Sequence, residues 1–298
     1  MLSICIPVYN YDVGQLARSI YRQCNNANID FEILVYEDGS IPEFVKINSD
    51  SLSSINSRHL ISTQNMGRSF ARNHLAKNAC FSKLLFLDCD SLIDDNEYIK
   101  NYLKNIEHQV VCGGTKYLNN QKKSGSELRL KYGFKREMTS AEKRNQNPNK
   151  SFTTNNFLVD KKIFEEIRFR EELTKYGHED SLFGFELKAA NIKIKHIDNP
   201  VIHNGLETNK IFVEKTKHGI ENLVFIETNI SVDERFFNEI TLISAYYKIK
   251  KTRLIFFVKT FNRLFGKAIE KHLIKSNNPC IYFFDLFKIG YYCKIKTN

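Results

Sequence analysis

The 298-residue sequence predicts a doubly wound α/β fold with a mostly parallel central sheet flanked by helices, followed by a helical, basic C-terminal region. Two observations support this prediction. In the first hundred residues, short apolar runs of strand length alternate with segments of helical periodicity, the pattern of parallel strands joined by helical crossovers. In residues 241–298, twelve Lys and Arg residues accompany only Glu270 and Asp285, so the whole formal net charge of +10 lies in the last fifth of the chain.

The individual elements follow from these patterns. Strands are predicted at residues 2–8, 31–36, 58–61 and 83–87, and a further short strand at 192–197. Helices are predicted at 13–24, after Asn65-Met66-Gly67 through Ala79, and after His178-Glu179-Asp180. Residues 119–150 are rich in Lys, Arg and Asn, which predicts a long insertion or mobile loop.

Composition excludes several classes of protein. With 42% hydrophobic and 26% charged residues, the chain is globular rather than disordered or collagen-like. The seven cysteines are scattered and include no C-x-x-C pair, which predicts reduced thiols and a cytoplasmic protein. The N-terminus has no basic segment before its first short apolar run, and nowhere do about 18 apolar residues follow one another. We therefore expect neither a signal peptide nor a membrane-spanning helix.

Polar residues follow the predicted strands at their carboxyl ends: Tyr9-Asn10, Glu37-Asp38-Gly39, and Asp88 with Asp90. In doubly wound sheets this edge binds ligands, so the sequence predicts a polar ligand of nucleotide-like dimensions. The two carboxylates of Asp88-x-Asp90 are hard oxygen ligands of the kind that Mg²⁺ or Mn²⁺ prefers. The alternative for this pair is a solvated acidic turn.

Five segments together indicate a family. They are Ser3-Ile4-Cys5-Ile6-Pro7-Val8-Tyr9-Asn10, Glu37-Asp38-Gly39-Ser40, Asn65-Met66-Gly67-Arg68-Ser69-Phe70-Ala71-Arg72-Asn73, Leu87-Asp88-Cys89-Asp90, and Gly177-His178-Glu179-Asp180 followed by Phe185-Glu186-Leu187. In this order the segments resemble the motifs of the family 2 glycosyltransferases, which have the GT-A nucleotide-sugar-binding fold. The resemblance covers about residues 1–225. It implies a catalytic domain over 1–225, with a nucleotide-binding half at 1–115 and an acceptor-binding half at 151–225, and a separate basic region at 226–298.

The resemblance implies a nucleotide site. Pro7 and Tyr9 would line the pocket for the base and ribose, and Asp38 would accept a hydrogen bond from a uracil-type ring. Arg72 would contact the nucleotide, and Arg68 is a second candidate for that contact. The alternatives are a half-buried strand end for Tyr9, a turn for Asp38 and a surface helix position for Arg72.

The resemblance also implies a metal site for Mn²⁺ or Mg²⁺. Asp90 would bind the cation directly, and Asp88 would face the ribose and the hydration shell of the metal. His203, in Val201-Ile202-His203, lies where many relatives have a histidine that completes the metal shell. A structural role is the alternative for this histidine.

The remaining predicted site residues act on the acceptor side. Asp180 would take the proton from the attacking hydroxyl, and Glu179 would orient the base or hold the acceptor. As an alternative, this acidic pair starts a helix, and both roles are compatible. His178 would lie near the acceptor. Asn155 and Asn156 would bind sugar hydroxyls or, alternatively, hold a strand edge.

The basic C-terminal region predicts an amphipathic helix from Leu254 onward. Aromatic and aliphatic residues recur there at helical spacing, beside lysines and arginines every four residues from Lys259 to Lys275. We expect it to bind an anionic membrane surface or, alternatively, to pack on the catalytic domain; nucleic acid is not expected, since no recognised binding module accompanies the charge.

The sequence thus predicts a metal-dependent inverting glycosyltransferase, peripheral at the inner face of the cell membrane. We expect a nucleotide-sugar donor, a UDP-sugar, and a glycan or lipid-linked oligosaccharide acceptor in surface polysaccharide synthesis. Two other functions are weighed against it. A sugar-phosphate nucleotidyltransferase would need a Gly-rich loop after the first strand, where Tyr9-Asn10-Tyr11-Asp12-Val13-Gly14 stands instead. A non-catalytic glycan-binding homologue would not need the acidic residues.

Overall fold

The structure is a computed structural model that describes residues 1–121 and 123–296, and these form two compact units. The first unit contains Met1–Leu118, Met138–Thr174 and Phe183–Gly205. The second contains Asn119–Glu137, Lys175–Leu182 and the chain from Leu206 onward.

The strands belong to the first unit. In chain order they are β1 (Leu2–Val8), β2 (Phe31–Asp38), β3 (Arg58–Ser62), β4 (Lys83–Leu87), β5 (Ser91–Leu92), β6 (Val110–Cys112), β7 (Thr115–Lys116), β8 (Asn156–Asp160), β9 (Ile194–His196) and β10 (Val201–His203). A seven-stranded sheet has the order β3-β2-β1-β4-β8-β6-β9, and a three-stranded sheet has the order β5-β10-β7.

The first four strands of the large sheet are parallel to one another, as the sequence predicts. Strand β8 runs antiparallel to both β4 and β6, and β9 is parallel to β6. The carboxyl ends of β1 to β4 therefore lie along one edge of the sheet, where the sequence analysis placed the ligand.

Strand β1 shows why its sequence is almost entirely apolar. Its even-numbered residues Leu2, Ile4, Ile6 and Val8 pack in one core cluster, whereas Cys5 packs in another. Because successive side chains point to opposite faces and both faces are covered, nearly every position must be apolar.

Helices of the first unit cover the two faces of the sheet or link its strands. They are α1 (Gly14–Asn26), α2 (Pro42–Leu52), α3 (Arg68–Asn78), α4 (Tyr98–Leu103), α6 (Ala141–Asn145) and α7 (Lys161–Glu166). The apolar residues of α1 join the cluster around Ile4, and those of α3 join the cluster around Cys5.

The remaining helices belong wholly or partly to the second unit. They are α5 (Glu127–Tyr132), α9 (Asn209–Asn229), α10 (Arg235–Glu239), α11 (Thr241–Lys251), α12 (Ile255–Lys275) and α13 (Ile281–Lys296), together with α8 (Glu179–Ala189), which begins in the second unit and ends in the first.

The prediction of a loop over residues 119–150 is wrong. The segment forms a 3₁₀ turn at Asn119–Gln121, α5, a π-helical turn at Gly133–Glu137 and α6. Its few apolar residues are anchors, since Leu128 is fully buried. Its cations are anchors too, because the buried guanidinium of Arg144 donates to the carbonyls of Gly113 and Ile197. Polar composition hid these contacts from the sequence analysis.

The second unit has its own apolar core, built from α5, α9, α11, α12 and α13. The predicted basic helix is α12. Helix α9 continues through position 225, where the predicted domain boundary falls, and that functional division stays a prediction. Within the described residues, every helix is too short or too polar to cross a bilayer.

Replacing Phe157 with Ala should lower the free energy of unfolding by about 3–5 kcal/mol. The ring is completely buried and packs on those of Phe86 and Phe152, at centroid distances of 4.9 and 5.0 Å, so its loss leaves a cavity. Urea denaturation followed by circular dichroism measures the change. The control is Ile41→Ala, at an exposed position. Equal destabilisation by the two variants would contradict this account of the core.

Candidate active site

The loops that follow β1 and β2 are joined to each other. The backbone amide of Asn10 donates to Ser40 Oγ, and Asn10 Oδ1 accepts from the amide of Ile41, both at 2.9 Å. Gly39 has φ +73°, and a Cβ there would overlap the backbone of Asn65. The glycine of the Glu37-Asp38-Gly39-Ser40 motif is therefore required by backbone geometry.

Asp38 holds the start of helix α3. Its two carboxylate oxygens accept hydrogen bonds from the amides of Met66 and Gly67, each at 2.8 Å. Burial raises the pKa of this carboxyl group, and the two amides act in the opposite direction. A carboxylate has about four lone-pair positions, so acceptor capacity remains for a ligand. The turn role and the predicted base contact are compatible.

Arg72 has a different role from the nucleotide contact that the resemblance implied. Its side chain is 2% exposed, and Nη2 donates to Asp88 Oδ1 at 2.7 Å. The guanidinium also lies over the ring of Phe169, 5.5 Å from its centroid. Helix α3 turns this residue inward, which excludes the predicted surface position as well. Arg72 therefore holds the Asp88 carboxylate from beneath.

Asp90 lies beside His203, as the metal-site prediction requires. The antiparallel pairing of β5 with β10 sets His203 opposite Ser91, the residue after Asp90. As a result His203 Nε2 lies 3.3 Å from Asp90 Oδ2, and both side chains are partly exposed. The amide of Asn204 donates to the backbone carbonyl of Asp90 at 2.9 Å, which extends the same contact.

Gly205 completes this arrangement. A Cβ at position 205 would overlap the Asp90 carboxylate, so the chain after β10 can pass this close only with glycine. Asn204 Nδ2 also lies 3.4 Å from the hydroxyl of Tyr11 in the loop after β1. The sequence analysis missed both residues. The signal that could have found Gly205 is its place directly after the His203 strand.

The donor set at Asp90 and His203 fits a divalent cation. Within residues 1–121 and 123–296, no three His, Cys, Asp or Glu side chains together form a metal site, so the protein offers two ligands here. Neighbouring ligands in an octahedral shell with bonds of about 2.1 Å lie about 3 Å apart, close to the separation of these two atoms. Such a shell has room for phosphate oxygens and water.

Other predicted donor-side residues differ in their access to a ligand. Tyr9 is 54% exposed, and Pro7 and Arg68 are partly exposed. Asn155 Nδ2 donates to Thr115 Oγ1 at 2.7 Å. Asn156 is fully buried: it donates to the carbonyls of Gly114 and Asn199 and accepts from the hydroxyls of Tyr98 and Tyr102. The structure thus favours the framework role for Asn156 over sugar binding.

In the second unit, helix α9 holds the loop that precedes α8. Asn222 Nδ2 donates to the carbonyls of Lys175 and Gly177, both at 2.9 Å. Lys175 Nζ lies 2.7 Å from Glu221 Oε2. Gly177 has φ +96°, and a Cβ there would press on Gly219 at 3.2 Å. Sequence analysis missed this support because Asn222 lies some forty residues beyond the motif.

Asp180 and Glu179 lie in the first turn of α8, so the helix-starting role is present. Asp180 Oδ1 accepts from the amide of Ser181 at 2.6 Å, and Glu179 is buried. His178 has φ +70°, a conformation that costs energy for a side chain other than glycine. The loop therefore fixes the direction of its acidic pair.

Residues 3–168, more than half of the chain, match the sequence profile of glycosyl transferase family 2. The chain belongs to glycosyl transferase family 2. The motifs of this family 2 glycosyltransferase thus confirm the resemblance found from its sequence. No curated protein sequence matches the chain significantly.

Solved structures similar to this family 2 glycosyltransferase confirm the GT-A fold. The mannosyltransferase PcManGT of Pyrobaculum calidifontis, in complex with GDP-Man and Mn²⁺, has a TM-score of 0.60 at 12% identity, covering 99% of this chain and 85% of that one. Residues 1–349 of S. aureus TarS have a TM-score of 0.53 at 17% identity, with 99% and 90% covered. Glucosyl-3-phosphoglycerate synthase of Mycobacterium tuberculosis, with Mn²⁺, UDP and glucosyl-3-phosphoglycerate, has a TM-score of 0.51 at 12% identity, with 78% and 81% covered.

The stability of the folded chain should fall between pH 6.5 and about pH 4 because of His178. Desolvation lowers the pKa of its imidazole from 6.5 to about 4, so in this interval the unfolded chain binds a proton that the folded chain does not. Protonation then stabilises the unfolded state. The melting temperature, measured across this interval, should depend less on pH in His178→Gln than in the wild type. The matched control, His218→Gln on the exposed side of α9, should leave the wild-type slope, and an unchanged slope in His178→Gln would contradict the assignment.

Proposed function

We propose that this protein transfers a sugar from a nucleotide-diphosphate donor, a UDP-sugar, to a glycan or lipid-linked oligosaccharide with inversion, in surface polysaccharide synthesis. The observation that carries the proposal is the Asp90–His203 pair at the carboxyl edge of the parallel sheet in a family 2 chain. Structures of TarS with UDP and with UDP-GlcNAc support a uridine nucleotide as the donor part.

On the donor side, the exposed Tyr9 and the partly exposed Pro7 would line the base and ribose pocket. Asp38 would accept from the base with the lone pairs that the two loop amides leave. Arg68, at the start of α3, is the cation that would contact the nucleotide now that Arg72 is occupied with Asp88. Asp88, 31% exposed, would present its second oxygen to the ribose and to the hydration shell of a cation.

Asp90 and His203 would hold Mn²⁺ or Mg²⁺. When bound, the cation neutralises the negative charge that gathers on the diphosphate as it leaves. Mn²⁺ in the structures of the mannosyltransferase and of the glucosyl-3-phosphoglycerate synthase supports this ion. The protein's own contribution is to keep one oxygen and one nitrogen ligand 3.3 Å apart before the donor binds.

Asp180 would act as the base. The acceptor hydroxyl oxygen attacks the anomeric carbon, the bond from that carbon to the diphosphate oxygen breaks, and the hydroxyl proton passes to the Asp180 carboxylate. Attack opposite the leaving group inverts the configuration. Glu179 would orient the base or hold the acceptor, and His178 and Asn155 would lie on the acceptor side. We also propose that residues 226–298 attach the protein to the inner face of the cell membrane, with residues 1–225 as the catalytic part.

Replacing Asp90 with Asn should reduce Mn²⁺-dependent UDP release from UDP-sugars at least about a hundredfold, because one charged ligand of the cation is lost. The measurement is UDP formation from a panel of UDP-sugars, with Mn²⁺ or with EDTA. The matched control is Asp94→Asn, whose carboxylate is bonded to Lys116 instead. Full activity in Asp90→Asn, or equal activity in EDTA, would overturn the metal role.

Replacing Asp180 with Asn should reduce sugar transfer about 10²–10⁴-fold, because the base is removed. The dissociation constant of UDP in the presence of Mn²⁺, measured by calorimetry, should not change. Glu214→Gln on α9 is the control, since its carboxylate is exposed and bonded to Lys217 and His218. A parallel loss of UDP binding would show that Asp180 supports the fold or the donor site rather than the proton transfer.

A further inference from the structure

Helix α12 has three distinct faces. One face packs into the core of the second unit, where Ile269 and Leu273 are buried against residues of α9 and α13. Glu270, the acidic residue of this helix, is bonded to Lys217 of α9 at 2.7 Å. This face accounts for the stability of the helix, so the other two are available to a partner.

The second face is apolar and exposed, and we call it the aromatic stripe. Its members recur every three or four residues, and they are Phe257, Phe261, Leu264 and Phe265. Phe257 and Leu264 are 66% and 67% exposed, and the rings of Phe261 and Phe265 pack on each other at 5.0 Å. The stripe continues onto α13, since Phe283 contacts His272 at 5.4 Å.

The third face is basic, and we call it the basic strip. It consists of exposed cations four residues apart, one on each successive turn: Arg263, Lys267, Lys271 and Lys275. No acidic side chain interrupts it, since Glu270 is directed to α9. The strip and the aromatic stripe adjoin along the helix, because residues 264 and 267 lie on neighbouring helical positions.

An aromatic stripe beside a basic strip has the chemistry of a helix in the bilayer interface. Aromatic and aliphatic side chains enter the boundary between headgroups and acyl chains, while cations bind anionic headgroups. A second copy of the chain is a poorer occupant, since it would bring two regions of strong positive charge together. The strip requires a partner that is negative over several turns of helix.

We propose that the aromatic stripe and the basic strip of α12 form the surface by which this protein docks on an anionic lipid bilayer. The inference rests on the proposed peripheral attachment of residues 226–298 and identifies its surface and its partner. Helix α9 bonds both to α12, through Lys217, and to the loop of Asp180, through Asn222. The unit that docks therefore also contains the proposed base, which favours an acceptor presented from the bilayer.

The experiment is co-sedimentation of the full-length chain with vesicles of phosphatidylcholine and phosphatidylglycerol, against vesicles of phosphatidylcholine alone. The wild type should bind the anionic vesicles and be released by salt, which screens the charges. Phe257→Ser with Leu264→Ser should weaken binding at least about tenfold. Lys267→Gln with Lys271→Gln should weaken it about thirtyfold. Ile41→Ser, and Lys46→Gln with Lys104→Gln, are matched exposed controls in the first unit and should bind as the wild type does.

Absence of binding to anionic vesicles by the wild type would overturn the inference. So would a dimer in lipid-free solution, seen by sedimentation velocity, that Phe257→Ser with Leu264→Ser disrupts, because the stripe would then be a self-interface. UDP release without vesicles should be equal in all these variants and shows that they are folded. If the wild type binds vesicles and releases no UDP from any UDP-sugar, the donor chemistry fails and the docking surface stands.

Discussion

The pairing of β5 with β10 is the contact on which the candidate metal site depends. It is short, with Ile202 opposite Leu92 and His203 opposite Ser91. The two partners lie more than a hundred residues apart in the chain, and the ladder alone determines that a nitrogen ligand lies next to Asp90. A slip of one residue would turn His203 to the other face of its strand. The bond from the Asn204 amide to the Asp90 carbonyl fixes the register at its end.

The two acidic residues after β4 have different electrostatic surroundings. Asp88 has its counter-charge within the protein, since the buried Arg72 holds one of its oxygens. A buried guanidinium is costly unless it is paired, so this ion pair is a fixed part of the structure. Asp90 has only a histidine beside it among the printed ion pairs of the described residues. This difference explains how a D-x-D motif can divide support and ligand binding between its members.

Much of the fold follows from local sequence patterns, and the rest depends on contacts between distant segments. Strands β1 and β4 were predicted with their observed limits because buried parallel strands are continuous apolar runs. The inward direction of Arg72 could not be predicted, since a charged residue on a weakly amphipathic helix is usually exposed. Asn156 needed knowledge of Tyr98 and Tyr102, which close its hydrogen bonds from fifty residues away. For α12, an exposed and a packed apolar face give the same periodicity, so only the structure distinguishes them.

The close approach of position 205 to the Asp90 carboxylate has a consequence for how relatives of this chain are compared. A homologue with alanine at 205 would retain every acidic residue, the histidine and the sheet, and its motifs would look intact. Its extra methyl group would nevertheless displace the oxygen that the cation needs. Loss of catalytic competence in such a lineage would thus leave no trace among the residues by which active members are ordinarily recognised, and a single methyl group would be its cause.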